Sequence, residues 1–261
     1  MLRCLLPVSL GAALLLRLPG PAFAASASAP PARDAAPAMV HIGPADAGTE
    51  AFVAWPAGAD AAPAVVMVHE WWGLNPQIKD MARKLARQGY VVIVPDLYHG
   101  KVAEDPERAH ELMRGLEDTR VQSEFDAARA WLRAQPRCAK GRLGVIGFCV
   151  GGGLALRFAL RGGDLAAAVM FYGAPETDPD KLAALRAPLM GHFGGDDEGI
   201  GADRVDAFRA ALQKAGKPAE IYLYRGAGHA FMNDSRPSYQ PDAARVAWAR
   251  TLAFFQKYLK S

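Results

Sequence analysis

Cysteine is scarce, three in 261 residues at positions 4, 138 and 149, too few for a disulfide framework. Charge of one sign is scarce as well. Thirty basic residues against 27 acidic ones leave a formal charge of +3, and without a run of like charges this argues against nucleic acid or an anionic membrane surface as a partner. Long apolar runs are confined to the beginning of the chain: residues 5–16 are apolar and Arg17 closes the run, short of the roughly 17–25 residues that span a bilayer. Internal repeats are missing. What is present is a chain that is 51% hydrophobic, long enough for one large domain with a full core.

The opening segment carries Arg3, the apolar run, then Pro19-Gly20-Pro21 and Ala22-Phe23-Ala24. This order predicts a signal peptide over residues 1–24, cleaved after Ala24, and export to the periplasm or the medium. Loss of Arg3 and Arg17 takes the charge from +3 to +1, and no stable membrane association is expected afterwards. Residues 25–38, mainly Ala, Ser and Pro, read as a flexible leader, and residues 39–261 as one domain, expected to be a monomer. In an oxidising compartment the competing reading of Cys138 and Cys149 is a structural disulfide. The strand between them would hold the thiols roughly 20 Å or more apart, so Cys138 is read as free and inert.

Short apolar runs at 64–68, 91–94, 143–146, 166–172, 189–193 and 221–224 alternate with helical patterns at 78–88, 107–116, 121–134, 154–160, 203–215 and 241–258. Near-continuous apolarity in the short runs fits strands covered on both faces. The alternation predicts an α/β fold, a mostly parallel sheet with helices on both sides. Ligands in such sheets gather beyond the carboxyl ends of the strands.

After the 143–146 run comes Gly147-Phe148-Cys149-Val150-Gly151-Gly152-Gly153 and then a helical run. This is the nucleophile-elbow spacing with cysteine at its centre. Glycines two residues to either side permit the sharp turn, and a helix N-terminus beside the thiol favours the thiolate. The competing readings are a buried structural cysteine or a phosphate cradle. The Gly-Lys-Ser/Thr ending of a phosphate loop and the glycine order of a dinucleotide turn are both lacking.

A thiol nucleophile needs a base, and the base an orienting acid. His229, in Gly226-Ala227-Gly228-His229-Ala230-Phe231 directly after the 221–224 run, is better placed than His41, His69, His99, His110 or His192. Among Asp196, Asp197 and Glu198, Asp197 is favoured, with Asp196 the alternative; an acid here could also serve merely to cap the next helix. Chain order decides: Cys149, Asp197, His229 follows the order nucleophile, acid, histidine of the α/β-hydrolase fold. In His69-Glu70-Trp71-Trp72-Gly73, after the 64–68 run, the backbone N–H of Trp71 is expected to join that of Val150 as an oxyanion hole. Trp71 and Trp72 are expected to wall the pocket. Glu70 at its mouth would favour the neutral thiol by repulsion and could itself take the proton.

The motifs His-Glu-Trp-Trp-Gly-Leu-Asn (69–75), Pro-Asp-Leu-Tyr (95–98), Gly-Phe-Cys-Val-Gly-Gly (147–152), Gly-Asp-Asp-Glu-Gly (195–199) and Gly-His-Ala-Phe (228–231) together resemble the dienelactone hydrolase family. The resemblance implies hydrolysis of a small ester or lactone without metal or organic cofactor. It implies a resting neutral pair between Cys149 and Glu70, from which substrate binding frees the thiolate. It also implies an acyl-enzyme hydrolysed with help from His229 and Asp197. Tyr98 and Phe231 become candidate substrate contacts. The family's best-known members clamp a substrate carboxylate with arginines; one of those positions is Asn233 here, and Arg108 is a candidate for the other. The missing clamp and the export signal weaken a narrow dienelactone assignment. A non-catalytic or redox-active exported domain is the alternative, and a serine esterase has no Gly-x-Ser-x-Gly setting to use.

Overall fold

A computed structural model describes residues 36–58 and 61–261; the segment read as a signal peptide and most of that read as a leader lie outside the described residues. Its strands are β1 Ala38–Ile42, β2 Thr49–Ala54, β3 Ala62–Val68, β4 Val91–Pro95, β5 Cys138–Phe148, β6 Leu165–Phe171, β7 Leu189–Gly194 and β8 Ala219–Tyr224. The helices are α1 Pro76–Ala86, α2 Pro106–Arg114, α3 Asp118–Ala134, α4 Val150–Leu160, α5 Pro179–Leu182, α6 Ala202–Lys214 and α7 Pro241–Leu259. The strands form one sheet in the order β1-β2-β4-β3-β5-β6-β7-β8. β1 with β2 and β2 with β4 are antiparallel, and the pairs from β4 onward are parallel. This is the α/β-hydrolase fold.

The apolar runs are continuous because successive side chains serve opposite cores. Val66 and Val145 face Phe125, Phe158 and Phe208, under α3, α4 and α6. Val65, Met67 and Ile146 face Ile78, Leu85, Trp248 and Phe255, under α1 and α7. Caps reinforce the helices: the Asn75 side chain accepts from Ile78 N–H, and Pro76 opens α1. β1 and β2 did not stand out in the sequence, since β1 is an edge strand with most of its residues exposed and β2 carries an acid amid its apolar residues.

Register brings the strand ends that matter side by side. Val68 pairs with Gly147, Phe148 with Phe171, Phe171 with His192 and Gly194 with Tyr224. The loops after β3, β5, β6, β7 and β8 therefore emerge along one edge. Cys138 opens β5 and Cys149 follows its end, and both thiols are free. Burial pushes the Cys138 thiol up to about 12, which fits an inert group.

Candidate active site

Cys149 stands between β5 and α4 with φ 55° and ψ −122°, a left-handed conformation that costs a side-chain-bearing residue about 1–3 kcal/mol. The turn closes this tightly because its flanking residues lack side chains. A Cβ on Gly147 would lie 2.0 Å from the Gly151 carbonyl oxygen, and one on Gly151 would lie 2.4 Å from that of His69. The N–H of Val150 is the first of α4, among the donors that a helix cannot satisfy internally.

His229 meets this turn from the loop after β8. Its Nε2 is 3.2 Å from Cys149 Sγ, and its Nδ1 donates to Asp197 Oδ2 at 2.7 Å. The other carboxylate oxygen of Asp197 accepts from the backbone N–H of Gly199 and Ile200 at 2.9 and 3.0 Å. Asp196, the alternative acid, is exposed. Burial alone would raise the Asp197 carboxyl, but His229 and the two backbone donors outweigh it and hold it below the usual range. Burial likewise opposes a charged His229, yet its bonds to Asp197 and Cys149 prevail and push it up to about 10.

Glu70 is buried, and the pairing expected between it and Cys149 is not what the structure shows. Tyr172 donates its hydroxyl to Oε1 at 3.0 Å and Asn233 donates its amide to Oε2 at 2.6 Å, while the partner of Sγ is His229. Burial raises the Glu70 carboxyl, against the opposing pull of Asn233, Tyr172, His229 and Arg236. Asn233, expected as a substrate contact, is buried with its amide turned to Glu70 instead. Its Oδ1 accepts from Ser235.

His69 fixes the loop that carries Glu70. Leu97 N–H donates to its Nε2, so the ring proton resides on Nδ1, which donates to the Glu70 carbonyl at 2.6 Å. Gly73 N–H donates to the same carbonyl at 3.1 Å. That carbonyl shares a trans peptide with the N–H of Trp71, and the two point in opposite directions. Anchoring one aims the other.

A crevice of about 420 Å³ opens over Cys149 and His229. Its apolar walls come from Met113, Leu156, Leu160, Tyr172, Pro175 and Ile200. Several residues expected to contact substrate lie elsewhere. Phe231 has no exposed surface and packs on Phe171, Tyr172 and Tyr224. The Trp72 ring is buried beneath the Arg236 guanidinium, 3.6 Å from its centre. The Trp71 and His110 rings meet nearly at right angles, their centres 4.8 Å apart. Tyr98 is buried against His69 at 5.0 Å. Arg108 pairs with Glu111 along α2, whose contribution to the crevice is Met113 instead. Among the described residues no group of three or more His, Cys, Asp or Glu is arranged to hold a metal, and no helix is long and apolar enough to cross a membrane.

Sequence reasoning missed Tyr172. It follows β6 directly at φ 37°, lines the crevice and holds Glu70. Its position at a strand's carboxyl end was the available signal, since β3, β5, β7 and β8 had each supplied a candidate and β6 none.

Comparison with known proteins gives one consistent picture. The family model described as "Dienelactone hydrolase family" matches residues 49–259. A Salmonella typhimurium protein provisionally named carboxymethylenebutenolidase is 34% identical over 260 residues, covering 89% of this chain and 96% of its own. A Methylorubrum extorquens protein with the same provisional name is 34% identical over 222 residues, covering 80% and 76%. The crystal structure of a Klebsiella pneumoniae protein provisionally named dienelactone hydrolase superimposes with a TM-score of 0.79 at 32% identity, covering 85% of this chain and 99% of that one.

Proposed function

This chain belongs to the dienelactone hydrolase family and is a hydrolase of lactones and esters, and on that premise we propose that it works through Cys149, His229 and Asp197 by way of an acyl-enzyme. The observation that carries the reading is the line Asp197 Oδ2, His229 Nδ1, His229 Nε2, Cys149 Sγ, with spacings of 2.7 and 3.2 Å. Sγ, having given its proton to His229 Nε2, attacks the carbonyl carbon. The C–S bond forms, and the carbonyl electron pair moves to oxygen, where the N–H groups of Trp71 and Val150 receive it. Collapse breaks the C–O bond, and the leaving alkoxide takes the proton from His229.

Acylation also prepares the second half of the reaction. A thioester sulfur carries no charge to support an imidazolium, so part of what holds His229 up to about 10 vanishes and the ring becomes a base for water. Water attacks the thioester and gives its proton to His229. The tetrahedral intermediate expels the acid and returns the thiolate. Glu70 serves as a further proton acceptor once Tyr172 or Asn233 releases one of its oxygens. The substrate is a carboxylic ester or lactone, and no cofactor enters the sequence. The enzyme is exported, with residues 1–24 as signal, and acts as a monomer in the periplasm or the medium.

With an activated aryl ester, Cys149→Ala is expected to lower kcat by about a thousandfold or more. Equal turnover by variant and parent would remove Cys149 from the mechanism.

A further inference from the structure

The crevice over Cys149 continues beyond the catalytic pair. α4 forms its floor through Val150, Gly153, Arg157 and Leu160, spaced three, four and three residues, hence along one face of the helix. A second hollow of about 440 Å³ lies on the adjoining face, against Leu154 and Phe158, with Val121 and Phe125 of α3 opposite. Arg157, Leu160 and Glu176 border both spaces, so the two adjoin at these residues. From Val150 to Leu160 the helix rises about 15 Å, well beyond the reach of a single lactone ring.

The chemistry of this path is apolar. Its charged borders are already matched, with Arg157 Nη1 2.7 Å from Asp118 Oδ1, Arg161 Nη2 3.4 Å from Asp126 Oδ2 and Lys181 Nζ 3.4 Å from Glu176 Oε2. An incoming carboxylate would compete with an existing partner at each of these cations, whereas an uncharged arm only has to cover hydrocarbon. We propose that the natural substrates are esters bearing an extended, uncharged apolar arm laid along α4, with Leu160 as the ridge that sets how long an arm is preferred. This rests on hydrolysis through Cys149 and names the substrate class of that site.

Two series of esters test it on the mature protein, one lengthened on the acyl side and one on the alkyl side, each running from two carbons to eight. A fully buried methylene is worth up to about fourfold in binding, so in one series kcat/KM should climb by about tenfold or more, mainly through KM. Leu160→Trp should return the long-to-short ratio toward one. Leu160→Ala, a milder change should the tryptophan variant fail to fold, should move the preference to longer arms. Far-UV circular dichroism confirms folding in each case. Flat or falling profiles in both series overturn the inference, and so does a folded Leu160 variant with the parental ratio. If the underlying mechanism were wrong, Cys149→Ala would hydrolyse the two-carbon ester as the parent does, a result separate from any length profile.

Discussion

At the scale of single residues, Glu70 shows how a buried charge is tuned by its donors. Its folded value is raised, so the folded state holds the proton more tightly than the unfolded one. Stability linked to Glu70 is greatest below the ordinary glutamate range and declines as pH rises through the shifted value. Asn233 opposes this by donating to the charged form. Asn233→Ala should therefore cost about 1–3 kcal/mol, with a larger loss at about pH 8 than at about pH 3, where the carboxyl is protonated in both states. Urea unfolding at the two pH values measures it; equal losses would reduce Asn233 to a packing role. His69 acts one peptide away. Because its Nδ1–H anchors the carbonyl whose peptide presents the Trp71 N–H, His69→Ala should lower kcat by about tenfold to a hundredfold, less than the outright loss of an oxyanion donor. KM should change little. A rise in KM at constant kcat would instead mean that the loop shapes binding and not the oxyanion hole.

At the scale of elements, the turn between β5 and α4 is where backbone and function meet. Gly151 lets the turn approach the strand end at His69, and Gly151→Ala places a methyl 2.4 Å from a backbone oxygen, which no rotamer can relieve. The expected result is a loss of about 3 kcal/mol or more together with lost alkylation of Cys149 by iodoacetamide. A stable variant with parental alkylation would show that the elbow has slack. The same turn explains what could be read from the sequence. Five strands that bury both faces over most of their length, and the mostly half-buried β8, announced themselves as apolar runs, and Gly147, Cys149 and Gly151 marked the elbow by spacing alone. β5 is longer than its apolar run because residues 138–142 are only partly covered or exposed, so hydrophobicity did not mark them. Side-chain direction was the less legible part. Phe231, Trp72, Tyr98 and Asn233 follow strands or sit in family motifs, yet each turns into the core or toward Glu70. That choice depends on partners such as Tyr172 and Arg236, distant in sequence and invisible to any local pattern.

At the scale of the whole molecule, the described residues build a sheet with a core on either side. β1 begins at Ala38 and pairs with β2 through five residues, and its edge is more exposed than the strands between the two cores. The composition of residues 1–35 fits an address and a spacer. Expressed in a bacterial host with an active export pathway, the full chain should accumulate outside the cytoplasm as a polypeptide beginning at Ala25. Intact mass would reveal the loss of residues 1–24, and the isoelectric point should fall because Arg3 and Arg17 leave without an accompanying acid. A protein started at Ala36 should match this mature form in melting temperature and in kcat/KM on an aryl ester, since the leader carries no periodic apolar face to bury. Cytoplasmic protein that retains both arginines would refute export, and a lower melting temperature in the shortened protein would show that the leader packs on the domain.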